Sequence, residues 1–172
     1  MIIQFIRKPP KEGGPGTFQT NFENYLRRKG DIITYPNDIE PDLCFVISGT
    51  RNILLLVKHK LKGVKIVQRI DNLNNYEDHK SSPIFIKIKI RIQNFLIFFI
   101  KRFLADQVVY QSDYARNLFI KKFGNVNIQS KTIYNGANKY FFEKQKNNKL
   151  NDNYIITLVE GAYHNTEFTQ NC

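Results

Sequence analysis

Three glycines, Gly13, Gly14 and Gly16, stand between an apolar strand signal, Met1 to Ile6, and an amphipathic helix signal. In that helix Phe18, Phe22, Tyr25 and Leu26 recur at the spacing of one face, Thr17 is a candidate N-cap, and Gly30 sits where a helix-ending glycine belongs. A strand, a glycine-rich turn and a helix start make a place for an anion. Free backbone N–H groups and the positive end of the helix dipole point out of such a turn, and glycine has no Cβ to keep a phosphate away. The spacing is not the dinucleotide fingerprint, and no Gly-Lys-Ser/Thr follows, so the turn is not a P-loop. The competing reading is a plain glycine turn before a helix.

Two further groups of polar residues follow apolar strand signals. Leu43 to Ile47 is apolar throughout, as a strand buried on both faces should be, and Ser48-Gly49-Thr50 then turns the chain into Arg51. Lys65 to Ile70 is the next strand, with Arg69 inside its end and Asp71-Asn72 just past it. Asp71 is the one carboxylate in this set and the candidate catalytic residue, although it also suits a loop cap. Thr50, Arg51, Arg69 and Asn72 are the other candidate ligand contacts at these strand ends.

The elements that must position these residues alternate. Asp31 to Tyr35 is a short strand, Arg51 to Leu61 a helix stopped at Gly63, and Gln107 to Gln111 a strand. Asp113 to Phe123 is a helix closed by Gly124, with Asp113 as N-cap or first-turn residue, and Lys131 to Tyr134 is a strand ending at Asn135-Gly136. This order predicts an α/β fold, a Rossmann-like three-layer parallel sheet with helices on both faces. Ligands of such sheets sit beyond the carboxyl ends of the strands, the rim shared by Gly13–Gly16, Ser48–Arg51 and Arg69–Asn72.

Composition narrows the chemistry. The 172 residues hold 26 Lys plus Arg against 15 Asp plus Glu, a formal net charge of +11, and 42% are hydrophobic, so the chain is no disordered segment. The excess charge favours an acidic partner: nucleic acid, anionic lipid or a phosphorylated substrate. The bland alternative is a generally solvated basic surface. Of two cysteines, Cys44 lies in an apolar strand and Cys172 is the last residue; His59, His79 and His164 are scattered. No metal site or other cofactor is expected from them. Arg7 and Lys8 interrupt any leader sequence, which places the expected compartment in the cytoplasm.

Ile84 to Leu104 carries two periods. Ile86, Ile88, Ile90 and Ile92 alternate with Lys87, Lys89 and Arg91 as in a strand, yet Lys87, Arg91, Asn94 and Lys101 fall on one helical stripe. Strands usually run ~3–10 residues, so the length favours a helix. Its longest apolar run, Phe95 to Ile100, is far short of the ~20 residues that cross a bilayer. No Asp or Glu occurs between Lys80 and Ala105. Such a basic amphipathic helix suits the surface of a membrane rich in anionic lipid, a peripheral site on the inner leaflet; the alternative is a buried helix whose lysines reach solvent.

Taken in order, four stretches resemble the N-terminal half of family-four glycosyltransferases of the GT-B fold, nearest the bacterial envelope-polysaccharide type. They are Gly13-Gly14-Pro15-Gly16-Thr17; Lys65 to Asp71; Ala105 to Ser112 leading to Arg116 and Phe123-Gly124; and Ile133 to Asn138 with Phe141. The resemblance covers Met1 to about Phe142. It implies an acceptor-side domain over 1–143, a linker over 144–153 and, from 154 to 172, the start of a truncated second domain whose first strand is Tyr154 to Val159. It further implies transfer of a sugar from a nucleoside diphosphate sugar to a glycan or lipid-linked acceptor, with retention at the anomeric carbon. Gly13, Gly14 and Gly16 would reach the donor diphosphate, Thr50, Arg51, Arg69 and Asn72 would form the acceptor-side rim, and Asn135 and Gly136 would lie between the domains. Donor binding would require the second domain, so the isolated chain is expected to be inactive. Asn138 replaces the family's usual aspartate, and Arg69 and Asp71 stand where many relatives have a histidine, so that histidine's role does not transfer. The alternative is a basic membrane-surface or nucleic-acid-binding module without catalysis; no nucleic-acid-binding motif is present, which makes nucleic acid the weaker partner.

Overall fold

The computed structural model describes residues 1–10, 14–36, 39–73 and 83–136. Gly13, the 144–153 linker and the Tyr154–Val159 strand lie outside the described residues. Residues Met1–Asn135 form one compact unit.

Six strands make one parallel sheet: β1 (Ile2–Phe5), β2 (Ile32–Thr34), β3 (Leu43–Ile47), β4 (Lys65–Ile70), β5 (Gln107–Tyr110) and β6 (Ser130–Thr132). Their order is β2-β1-β3-β4-β5-β6, and every neighbouring pair is parallel. The helices are α1 (Gly14–Arg28), α2 (Ile53–Leu61), α3 (Ile84–Phe99), which continues as a π-helical turn over Ile100–Leu104, and α4 (Asp113–Phe123). This is a Rossmann-like α/β fold, as the alternation predicts.

Successive strand residues point to opposite faces, and the two faces are covered unequally. Phe18, Phe22 and Leu26 of α1 pack on Ile3, Phe5, Phe45 and Ile47. The other face carries Cys44, Val46 and Ile66 under Leu56 of α2 and Ile100 and Leu104 of the π turn. It continues through Ile70, Val108 and Tyr110 under Ile97 of α3 and Phe119 of α4. Among the described residues, three helices therefore cover one face and α1 alone the other. Gln68, fully buried on the three-helix face, donates from Nε2 to the Ser48 carbonyl at 2.8 Å and the Ile97 carbonyl at 3.0 Å, which joins β4 to α3 and to the end of β3.

The helix ends follow from local chemistry. Gly30, Gly63 and Gly124 all have positive φ, which glycine adopts without a Cβ clash. Ser112 rather than Asp113 caps α4: its Oγ accepts from the Ala115 N–H at 3.1 Å, while Asp113 sits in the first turn. At α1 the glycine turn differs from expectation. The helix starts at Gly14, so Gly14 and Gly16 belong to its first turn and Thr17 lies inside it. Gly16 is buried, and a Cβ there would come within 2.3 Å of the Pro10 carbonyl oxygen, so the loop after β1 packs directly on the helix start. Tyr25 is half exposed and leaves the apolar face to Phe18, Phe22 and Leu26.

Ile84–Leu104 is helical, and its polar stripe divides: Asn94 and Lys101 point inward, Lys87 is half-buried and Arg91 is exposed. Asn94 and Lys101 are buried, with Lys101 only 2% exposed. Its Nζ donates to the Tyr110 hydroxyl at 2.6 Å and stands 4.3 Å from the centre of the Phe119 ring. No described helix is long and apolar enough to cross a membrane.

Candidate functional site

The chain runs from β1 through α1 to β2 on one side of the sheet, then returns to place β3 on the other side of β1. In a doubly wound sheet this reversal splays the loops that leave the two central strands and opens a crevice at their carboxyl ends. A cavity of about 540 Å³ lies there. Arg7, just past β1, lines one wall, and Ser48 to Asn52, just past β3, line another. Asn72, past β4, and Gln93, Asn94, Leu96 and Ile97 of α3 complete it.

The turn after β3 is built to bring these groups together. Ser48 has φ 58°, an unusual value for a side chain other than glycine's. Its N–H donates to the Arg69 carbonyl at 2.7 Å, and its own carbonyl is turned to Gln68. Gly49 lets α3 approach: a Cβ would lie 3.1 Å from Cγ1 of Ile97. Thr50 Oγ1 accepts from the Asn52 N–H at 3.1 Å and sets the start of α2.

Among the described residues, Arg7 and Arg51 are the charged side chains that line the cavity, and none of those lining it is a carboxylate. The N-terminus of α2 opens beside it, with no acidic residue in the first turn and no side chain capping it. Helix N–H groups and two guanidinium groups suit a phosphate or another anion; the amides and hydroxyls of Thr50, Asn52, Asn72, Gln93 and Asn94 suit a polyhydroxylated ligand.

Beside the cavity, Arg69 and Asp71 form a buried ion pair. Arg69 is 2% exposed. Its Nη2 donates to Asn135 Oδ1 at 2.7 Å and Gln111 Oε1 at 3.2 Å, and the guanidinium lies 3.6 Å from the centre of the Phe18 ring. One side chain thus ties the ends of β4, β5 and β6 to α1. Burial pulls the Arg69 pKa down to about 10.

The sequence candidates therefore separate. Thr50, Arg51 and Asn72 line the cavity. Arg69 and Asp71 from one stretch and Asn135 from another meet in one network around the buried Arg69. Gly14 and Gly16 begin α1, and a Cβ at Gly14 would meet nothing within 4 Å. Gly136 lies past the compact unit. Arg7, Asn52, Gln93 and Asn94 were not expected in the site. Arg7 was findable, because it directly follows β1 at the rim the fold favours; the α3 residues were not, because nothing in the sequence says which strand ends that helix crosses.

A second polar network anchors the same rim. Gln19 Nε2 donates to the Arg7 carbonyl at 2.7 Å and to Glu23 Oε1 at 2.8 Å, and Glu23 Oε2 accepts from the Tyr35 hydroxyl at 2.7 Å. Burial, then the Glu23 carboxylate, push the Tyr35 pKa up.

No group of three or more metal-ligating side chains occurs among the described residues. No protein-family model matches the chain, and no curated protein matches it.

Proposed function

We propose that these residues are the acceptor-side half of a family-four, GT-B-type glycosyltransferase that moves a sugar from a nucleoside diphosphate sugar to a glycan or lipid-linked acceptor. The observation that carries this reading is the cavity lined by Arg7, Arg51 and side-chain amides at the switch point of a doubly wound sheet. Thr50, Arg51 and Asn72 would hold the acceptor, with Arg7 added to the set. Asp71 would serve as the acidic group of the site, held by Arg69 next to the residues that line the cavity rather than among them. The acceptor oxygen would form the new bond to the anomeric carbon while the bond to the leaving diphosphate breaks. Charge develops on that diphosphate, and N–H donors and cations lower the barrier. The unobstructed backbone at Gly14, at the positive end of α1, would serve there. The donor's remaining contacts would come from a second domain, which would also exclude water.

Calorimetric titration tests this with three probes: a short isoprenyl-diphosphate-linked N-acetylglucosamine, free N-acetylglucosamine oligomers, and a panel of nucleoside diphosphate sugars. Binding of either of the first two, lost in Arg51→Ser, is expected, and the pair separates lipid-linked from free glycan acceptors. Micromolar binding of a nucleoside diphosphate sugar to these residues alone, or binding unchanged in Arg51→Ser, overturns the assignment. In a transfer assay with the second domain supplied, Gly14→Val is expected to lower donor use with little effect on folding.

A further inference from the structure

The solvent side of α3 carries an apolar stripe between basic residues, unusual for a surface helix. Ile90, Asn94 and Ile97 face the sheet and are buried. On the opposite side Phe85, Ile88, Ile92 and Phe95 are between 50% and 67% exposed. They recur three and four residues apart, so they form one stripe. Phe103 extends it past the π turn and is also exposed. Phe95, Phe99 and Phe103 step down the helix as a ladder of rings, with centroids 6.1 Å and 5.1 Å apart. Leu54 and Leu61 of α2, which packs against the π turn, are exposed as well. Burying such groups recovers about 25 cal/mol per Å² of apolar surface, so a contiguous stripe of this kind marks a contact surface.

Charge decides what covers it. Lys89, Arg91 and Arg102 are exposed beside the stripe, and the helix carries no acidic residue. Two copies meeting through α3 would bring these cations together with no carboxylate on either helix. A protein partner would have to bring both an apolar surface and its own acidic rim. A bilayer with anionic lipid supplies both at once: acyl chains for the rings and isoleucines, headgroup phosphates for long basic side chains that reach outward. With Lys87, Lys89, Arg91, Lys101 and Arg102 along it, α3 with its π turn is not apolar enough to cross a bilayer, which leaves the interface.

We propose that α3 docks this protein on the surface of an anionic membrane, with Phe85, Ile88, Ile92, Phe95 and Phe103 in the acyl boundary and Lys89, Arg91 and Arg102 at headgroup level. Contact is made by the face opposite the one that carries Asn94 and Lys101. The inference is independent of the glycosyl-transfer reading, because it uses no residue of the cavity's polar lining.

The chain contains no tryptophan, so Phe95→Trp gives a single fluorescent reporter on the stripe. The full 172-residue chain carrying it is mixed with vesicles of neutral phosphatidylcholine, or of the same lipid with roughly 30% phosphatidylglycerol. A blue shift and quenching by brominated acyl chains are expected with the anionic vesicles alone, and about 0.5 M salt should reverse them. Lys89→Glu with Arg102→Glu should weaken vesicle binding by about tenfold or more. Ile88→Ser with Ile92→Ser should abolish it, with an unchanged urea midpoint to show that the fold survives. No shift on anionic vesicles, equal binding to neutral ones, or full binding by the Ile88/Ile92 variant overturns the proposal. So does a dimer in vesicle-free sedimentation that the same variant dissociates.

Discussion

Arg69 is the side chain on which most of the rim depends. It is buried, paired with Asp71, hydrogen-bonded to Gln111 and Asn135, and stacked on Phe18. Removing one member of a buried ion pair leaves the other without compensation and costs about 3–5 kcal/mol, whereas an apolar replacement of both is often neutral. Arg69→Met is therefore expected to lower unfolding stability by about that amount, and Arg69→Met with Asp71→Leu to regain much of it; urea melts of the double-mutant cycle measure the coupling. Lys101 offers a pH test. Burial, with the Arg116 charge adding to it, pulls its pKa down to about 8 from 10.5. The unfolded chain thus holds this proton more tightly than the folded one. Below pH about 8 both states are protonated and the penalty is constant; between about 8 and 10.5 stability rises with pH, by at most ~1.4 kcal/mol per unit. The difference in stability between the parent protein and Lys101→Met, followed across that window, should show this slope, and a flat difference would mean Lys101 does not titrate as its burial dictates.

At the scale of elements, the first turn of α1 makes the sharpest contrast. Gly16→Ala places a methyl group against the Pro10 carbonyl and is expected to cost about 1–3 kcal/mol. Gly14→Ala meets open space, and should leave stability unchanged or raise it by up to about 1 kcal/mol through the loss of chain entropy on unfolding. Thermal melts of the two variants separate a packing glycine from a permissive one. The sequence read this region as a turn followed by a helix because glycine is a poor helix former. Contact with the loop after β1 overrides that preference at Gly16. The strands were legible for the opposite reason. Leu43 to Ile47 and Lys65 to Ile70 have the expected bounds, because strands covered on both sides leave no choice of residue type. The α3 segment was legible as a helix and illegible in orientation. Periodicity gives the angle between a polar and an apolar stripe, and says nothing about which one meets the sheet. Here Tyr110 takes Lys101 and the cavity takes Asn94, while Arg91 of the same stripe stays in solvent. The cavity was legible only as a rim: the strand ends it needs were in the sequence, while the residues of α3 that close it depend on a crossing that no local pattern encodes.

At the largest scale, the compact unit Met1–Asn135 is covered unequally on its two faces. Among the described residues, α2, α3 with its π turn, and α4 support one another on one side of the sheet, while α1 stands alone on the other. The apolar stripe and the doubled helices lie on the crowded side; the loop after β1, held by Gln19 of α1, borders the cavity. A face sealed by one helix can open by the loss of one helix, without the rest of the fold giving way. In time rather than space, α1 is then a separate cooperative unit, with its own opening free energy below that of the whole domain. Native-state hydrogen exchange should show the amides of Phe18 to Leu26 exchanging together, ahead of those in β3 and β4. Because Gln19 holds the Arg7 carbonyl, a ligand that engages Arg7 should slow this exchange across the entire helix, at positions it never touches. If those amides exchange only with global unfolding, α1 is no such unit. If they do open together, occupancy of the cavity is legible from the outside as the lifetime of one helix.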